Sequence, residues 1–324
     1  MAASYNNTLK GSNTMKKIDK NYFPGWVRKS ISFTIDDGNL LMDTKFINIV
    51  KPYGIKGTFN ISTFYFDKLD AEGYRELYRG YEIANHVRFH PYVYLDGEEY
   101  TICEGPLPEH APTPNSIYPT QNKGVYMIEV PRGWRKITSP EDYIRLTREC
   151  TAQIEEVFGK QPKLGFVWPF GMQKNAALFE ILKKEGFYGL RTGGSTLDTT
   201  AFRIPEDRTA WSFNAIHSQL LSVSKLYEAY PDDGELKTFI FGVHSIDYER
   251  SDKWCDLEEF AKTFGNRPET YWYATNVEIF DYEDAINALV ITDTSVENPS
   301  DITLYITVDG ERIVLTPRSV YNFN

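Results

Sequence analysis

Between residues 31 and 290 the apolar positions switch repeatedly between two spacings. Ile31, Phe33 and Ile35 alternate with Ser32 and Thr34, which predicts a strand. Met42, Phe46, Ile49 and Val50 then fall at helical spacing until Pro52 and Gly54 stop them. Ile55 to Ile61 reads as a second strand, followed by a helical pattern toward Tyr78, and Tyr81 to Ala84 reads as a third. Ser139-Pro140-Glu141-Asp142 predicts a capped helix start. Leu146, Cys150, Ile154, Val157 and Phe158 form that helix's buried stripe, and Gly159 ends it. Leu164 to Val167 predicts a strand, Asn175 to Leu182 a helix, and a further strand reaches Arg191. Lys237 to Val243 is an apolar strand ending at His244. Asp256, with Glu259 three residues on, predicts a capping box opening a helix to Gly265. Trp272 and Tyr273 lie on a last short strand before a helix to about Leu289. This alternation predicts an α/β fold, either a parallel barrel or a doubly wound sheet.

Three stretches depart from it. Residues 1–29 read as a loose N-terminal lead-in with an aromatic anchor at Tyr22, Phe23 and Trp26. Residues 92–138 carry Pro106, Pro108, Pro112, Pro114, Pro119 and Pro131 and no sustained period. Their tyrosines and Trp134 predict an ordered insertion lying over the site. From Val290, Thr303 to Val308, then Asp309-Gly310, then Arg312 to Thr316 form a strong hairpin signal. Residues 290–324 are too few for an independent sandwich, so a β-hairpin appendage packed on a barrel of residues 30–289 is expected.

Composition narrows the classes. The 324 residues are 41% apolar and 25% charged, ordinary for a globular protein. The net charge of −10 and the lack of a basic patch argue against nucleic acid or anionic membrane as partner. No run is long enough to span a membrane. Met1 to Lys20 has no apolar core, so no signal peptide is visible. The expectation is a cytoplasmic protein, or an exported one whose leader has been removed. Cys103, Cys150 and Cys255 are too scattered for a disulfide framework or a cysteine zinc site. Aromatics, at 15%, suit sugar stacking and core packing alike. Oligomeric state is not legible.

The candidate chemistry lies at predicted strand ends. Asp36 and Asp37, before Gly38, close the first strand at its C-terminal edge, where α/β folds place their sites. Alone, an Asp-Asp-Gly turn merely ends a strand. Two adjacent carboxylates also point differently, so one can bind a metal while the other handles protons. His86 and His90 are four apart and would share one face of a helical turn. Val87 stands where a zinc protease needs glutamate, which excludes that motif. Two histidines and one carboxylate leave coordination positions open, as a catalytic metal site requires.

The motifs together resemble the polysaccharide deacetylases, the nodulation-type (carbohydrate esterase family 4-like) enzymes. TIDDG is similar to their first motif, GYEIANHVRFHP (80–91) to their second, and GIKGTFN (54–60) to the segment between. FVWPFG (166–171) resembles the third and FGVHS, ending at Ser245, the fifth. The resemblance implies a distorted (β/α)7-type barrel. It implies that Asp37, His86 and His90 hold a divalent metal, zinc by preference and cobalt, nickel or iron otherwise. It implies that Asp36 is the general base, that the Phe170 backbone N–H stabilises an oxyanion, and that His244 protonates the leaving group.

Three departures stand out. Val167 occupies the place of the family's third-motif arginine, and Arg191 is the candidate substitute. Val87 replaces a serine or threonine. No clear fourth motif is visible, and Asp198, Asp207 and Asp247 are candidates for its carboxylate. Trp168, Phe170 and Trp134 are candidates for a sugar groove, with core packing the alternative for Trp168. Glu278 is a candidate at the barrel mouth. His110 and His217 have no assigned role. The expected function is metal-dependent removal of acetyl groups from an N-acetylated glycan. Its rivals are an O-acetyl esterase on plant polysaccharide, another C–N hydrolase, and a non-catalytic glycan-binding protein on a retired barrel.

Overall fold

The structure is a computed structural model. It describes residues 16–63, 66, 70–93, 101–102, 116–119, 126–130, 133–171, 176–192 and 201–323. It divides into two compact units, Val27–Asp281 and the chain ends through Trp26 and from Tyr282.

In the larger unit Lys29–Asp37, Thr58–Ile61, Glu82–Asn85, Gly165–Val167 and Gly189–Arg191 lie side by side in that order, all parallel. Lys237–His244 lines the other flank of Lys29–Asp37, and Tyr271–Tyr273 pairs with Lys29–Ile31. Trp211 bridges in parallel to Arg191, and Ala215 to Phe241. The stretch 211–215 therefore joins the two edges of the sheet, which curls on itself. This is the α/β barrel form expected, and the doubly wound alternative falls away.

The first strand is buried on both faces. Phe33 meets the rings of Phe46, Phe59, Tyr81 and Phe241 at 5.0 to 6.0 Å, so the apolar face packs against the surrounding layer. Gly57 lets the second strand enter there, since a Cβ would lie 2.4 Å from the Phe33 ring. Ser32, Thr34 and Asp36 face the interior. Asn60 donates to Thr34 Oγ1 at 2.7 Å and to Asp36, and Ser32 donates to Asn276 at 2.9 Å. The barrel thus has an aromatic jacket and a narrow polar interior, and its C-terminal strand ends carry the candidate residues.

Side-chain caps mark helix heads, and the one predicted at Ser139 is among them. Asn39 accepts from the Met42 N–H at the head of Leu40–Val50, and Ser139 accepts from Asp142 N at the head of Pro140–Phe158. The Asp256 capping box is a correction: that helix begins at Trp254, which leaves Asp256 inside the first turn favouring the helix dipole. In the insertion, Tyr92–Val93, Thr101–Ile102, Ser116–Pro119, Tyr126–Val130 and Gly133–Thr138 form a five-stranded sheet. The side chains of its strands, Trp134 among them, lie outside the described residues.

Glu82 is a half-buried residue whose carboxyl lies on the barrel's inner wall. It accepts from Thr58 Oγ1 at 2.6 Å and from the Val277 N–H at 2.9 Å. Burial outweighs these bonds and pushes its pKa up to about 7. The unfolded side chain ionises near 4.5, so between 4.5 and 7 the folded state binds more protons and stability falls as pH rises. Above that window the cost is constant, about 3 kcal/mol at most. Glu82→Gln removes the titration. We expect it to match the parent in urea unfolding near pH 4.5 and to exceed it at pH 8. An unchanged difference between the two pH values would refute the assignment.

The second unit is mostly strand, with the end of the helix Asn276–Asn287 beside it in the chain. Ile18–Tyr22 pairs antiparallel with Leu304–Val308, which forms a hairpin with Glu311–Leu315. Asp309 and Gly310 take left-handed φ values of 51° and 85° in its turn. Val290–Ile291, Ser295–Glu297 and Val320–Asn322 make a second three-stranded sheet. The stretch read as a loose lead-in therefore supplies a strand, with Phe23 tilted against Tyr282 at 5.6 Å and Trp26 edge-on to Tyr305 at 4.8 Å. No described helix is long and apolar enough to cross a membrane.

Candidate metal centre and active site

Strand register builds the site. Asp36 sits level with Asn60 on one side and His244 on the other, and Asp37 sits level with Ile61, itself level with Asn85. His86 follows Asn85 directly. Asp37 leaves the strand in a left-handed conformation, φ 79°, followed by Gly38 at φ 75°. A non-glycine residue held there is strained, and strain of this kind concentrates at functional sites. The turn separates the two carboxylates.

Asp36 points inward. Its Oδ1 accepts from Asn60 Nδ2 at 2.8 Å and from Arg191 Nη2, which is itself buried. Burial favours the protonated acid, but the Arg191 guanidinium, with His86 and His244 beyond it, holds the carboxyl below its ordinary pKa. Asp37 faces the histidines. Its Oδ1 lies 3.5 Å from His86 Nε2 and 3.6 Å from His90 Nε2, and its Oδ2 lies 3.8 Å from His244 Nε2. Burial would raise its pKa too, but the three imidazoles hold it well below the usual carboxylate range. Burial, and then the neighbouring His86 ring, push His90 down to about 3. A neutral imidazole is the form that ligates a metal.

Metal binding can be tested on the donor atoms. His86 gives its Nδ1 to the Val167 carbonyl at 2.9 Å, which fixes the tautomer and leaves Nε2 with a bare lone pair. That Nε2 and Asp37 Oδ1 are buried, and neither has a hydrogen-bond partner. Orphaned buried polar atoms are costly, and here two of them converge. With His90 they form a group whose donor atoms lie within 4.8 Å of one another. These residues fit a divalent ion with open positions.

A family model described as polysaccharide deacetylase matches residues 27–190, about half of the chain. The chain belongs to the polysaccharide deacetylase family. No curated protein matches it. Among solved structures it is similar to a polysaccharide deacetylase from Bacillus cereus, at 14% identity over 76% of this chain and 92% of that one, TM-score 0.41. It is also similar to a family 4 acetyl xylan esterase from Clostridium thermocellum in complex with a cobalt ion, at 17% identity over 78% and 91%, TM-score 0.43. A chitin deacetylase from the fungal pathogen Colletotrichum lindemuthianum aligns at 14% identity over 80% and 88%, TM-score 0.43. Membership rests on the family model.

The deacetylase departures find local physical answers. Val167 and Arg191 are register partners on neighbouring strands, so an arginine one strand over reaches the same carboxylate. Arg191 also lies over the Phe213 ring, at 5.2 Å. The hydroxyl lost at Val87 is replaced by two groups that the sequence did not announce. Asn85 Oδ1 accepts from the Val87 N–H at 2.8 Å, and Ser62 Oγ donates to the Val87 carbonyl at 2.8 Å. Of the three carboxylate candidates, Asp247 meets the histidine: its Oδ2 lies 2.8 Å from His244 Nδ1. Burial pulls His244 down, but Asp247, Asp37 and Asp36 together bring its pKa up to about 9. Asp207 instead holds Thr209 in an exposed turn, and Asp198 lies outside the described residues.

Other expectations are corrected. His86 to Pro91 is not a helical turn, because Val87, Phe89 and His90 take φ values of 56°, 67° and 49°. The two rings still meet edge-on at 4.7 Å. Trp168 is core, stacked on Tyr143 and Phe179. Glu278 is no mouth residue: it caps its own helix by accepting from Thr275 N at 2.7 Å and faces Lys56, just before the second strand begins. Phe170 lies in the short Pro169–Gly171 turn after the fourth strand, and its side chain is outside the described residues. His110 is outside them as well. His217 packs on the Tyr248 ring at 5.9 Å. Asn60, Ser62 and Asn85 were missed. Their signal was a polar residue interrupting an apolar strand end.

Proposed function

We propose that this deacetylase-family chain is a metal-dependent hydrolase that removes acetyl groups from an N-acetylated poly- or oligosaccharide. The observation that carries the reading is the unequal treatment of two adjacent carboxylates. Asp36 is anchored by Arg191 and Asn60, while Asp37 and His86 present bare, buried donor atoms to one point. A pure glycan binder has no use for both.

Asp37, His86 and His90 would hold the ion, with zinc suited to the donor set. When bound, it lowers the pKa of water from 15.7 toward about 7 and polarises the acetyl carbonyl. Asp36 accepts the attacking water's proton, as an ionised carboxylate held in place can. The Phe170 backbone N–H donates to the developing oxyanion. His244, oriented through Nδ1 by Asp247, carries a proton on Nε2 to the departing amine. That step matters most for an amide, because an unprotonated amine is a prohibitive leaving group. An acetyl ester depends on it less.

The test is acetate release from chitooligosaccharides, peptidoglycan fragments and acetylated xylan, with zinc-loaded and chelated protein side by side. We expect release from an N-acetylated substrate only when the protein is loaded. His244→Ala should abolish amide turnover and spare part of any ester turnover. Release confined to xylan would favour the O-acetyl esterase. Zinc binding without release from any substrate would favour a binding protein.

A further inference from the structure

Resting on the reading of Asp36 as the base, we propose that Asn60 is a positioning residue that selects which oxygen of Asp36 takes the proton. Both strong donors to this carboxylate converge on the same atom, Oδ1: Asn60 Nδ2 at 2.8 Å and Arg191 Nη2. Oδ2 receives neither. An oxygen that already accepts two hydrogen bonds, one of them charge-assisted, has little remaining basicity toward water. Oδ2 is then the reactive oxygen, and the two anchors fix its direction.

Arg191 alone does not set that direction. A single donor leaves the carboxylate free to turn about the bond to it, and two donors from different walls define its plane. Asn60 can serve because it is itself held. It is buried, and its strand is in register with Asp36. Its Nδ2 also reaches Thr34 Oγ1 at 2.7 Å and the Ile35 carbonyl at 3.3 Å. An amide flipped to put oxygen here would face the carboxylate oxygen and a backbone carbonyl, so the surroundings assign the nitrogen to this side. Its place in the barrel wall makes the anchor rigid.

Asn60→Leu keeps the volume and removes the donor. We expect kcat to fall by about 10²-fold, the scale for losing one preorganised donor, with KM and zinc affinity within about twofold of the parent. Asn60→Ser, a smaller change with a hydroxyl donor, should recover part of kcat. It also serves as the test variant if Asn60→Leu fails to fold. A crystal structure of the variant gives a readout independent of turnover: the Asp36 carboxylate should be rotated or split between orientations, with Asp37, His86 and His90 unmoved. Unchanged kcat, or a fall in kcat accompanied by a raised KM and a lowered zinc affinity, would overturn the positioning role. An unmoved Asp36 carboxylate would overturn it whether or not the chain is active. A parent inactive on every acetylated glycan would instead overturn the functional reading, and the carboxylate orientation would still decide the role of Asn60.

Discussion

Replacing Asp36 with asparagine should lower turnover by about 10³- to 10⁴-fold while leaving zinc binding intact, the scale for losing a general base. Asparagine keeps the shape of the side chain and an oxygen for Asn60 and Arg191, so the loss is chemical: an amide cannot accept the proton. Zinc affinity should hold because Asp37, His86 and His90 are untouched. Stability should fall, since Arg191 is fully buried and loses its counter-charge. Breaking a buried pair from one side costs about 3 to 5 kcal/mol, and the retained amide oxygen places this variant at the low end. Acetate release, equilibrium dialysis with zinc and urea unfolding read the three quantities separately. Full turnover in Asp36→Asn would remove Asp36 from the reaction.

The reason Asp36 was legible and Asn60 was not is geometric. The Ile31–Gly38 strand announces itself through a local period, and its terminal carboxylates are adjacent in sequence. Asn60 acts on Asp36 across a strand pair, and register between strands is a tertiary property. The same holds for Ser62, which pins the histidine loop from the end of the neighbouring strand, whereas Asn85 acts on Val87 only two residues away. Arg191 was legible only as a candidate, because nothing local says that it lies beside Val167. Asp247 is three residues from His244 and so could be proposed from sequence, as a short-range contact.

The fold was legible in the same uneven way. The alternation of periods fixes a parallel α/β class. The closing stretch, Trp211 to Ala215, alternates apolar and polar residues like a short strand, but it makes only isolated bridges, and which two edges it joins is a tertiary property. The strand alternation was also open to the wrong assignment of faces. In a sheet with one wet side the apolar residues mark the core. Here Ser32 and Thr34 are as buried as Phe33, and they face the narrower interior. The histidine loop misled for a further reason: a four-residue spacing suggests a helix, and three left-handed residues bring the rings together by another path.

His86→Ala should give the complementary signature, losing zinc and turnover together while the fold persists. His86 contributes one donor atom of three, and the Val167 carbonyl holds its ring in the ligating tautomer. Disturbing such an outer partner alone typically weakens a metal site 10- to 100-fold, so deleting the ligand should cost on the order of 10²-fold or more. The structural cost should be small by comparison. Alanine leaves a cavity and an unpaired carbonyl at Val167, worth about 1 to 3 kcal/mol. It also relieves the orphaned Nε2, which offsets part of that loss in the metal-free protein. Zinc competition against a chromophoric chelator, with a thermal melt of the same samples, separates the two effects. Parental zinc affinity in His86→Ala would show that Asp37 and His90 are not its partners in a metal centre. The contrast with Asp36→Asn carries the mechanism, because one variant should keep its zinc and the other its Arg191–Asp36 pair, and neither should turn over.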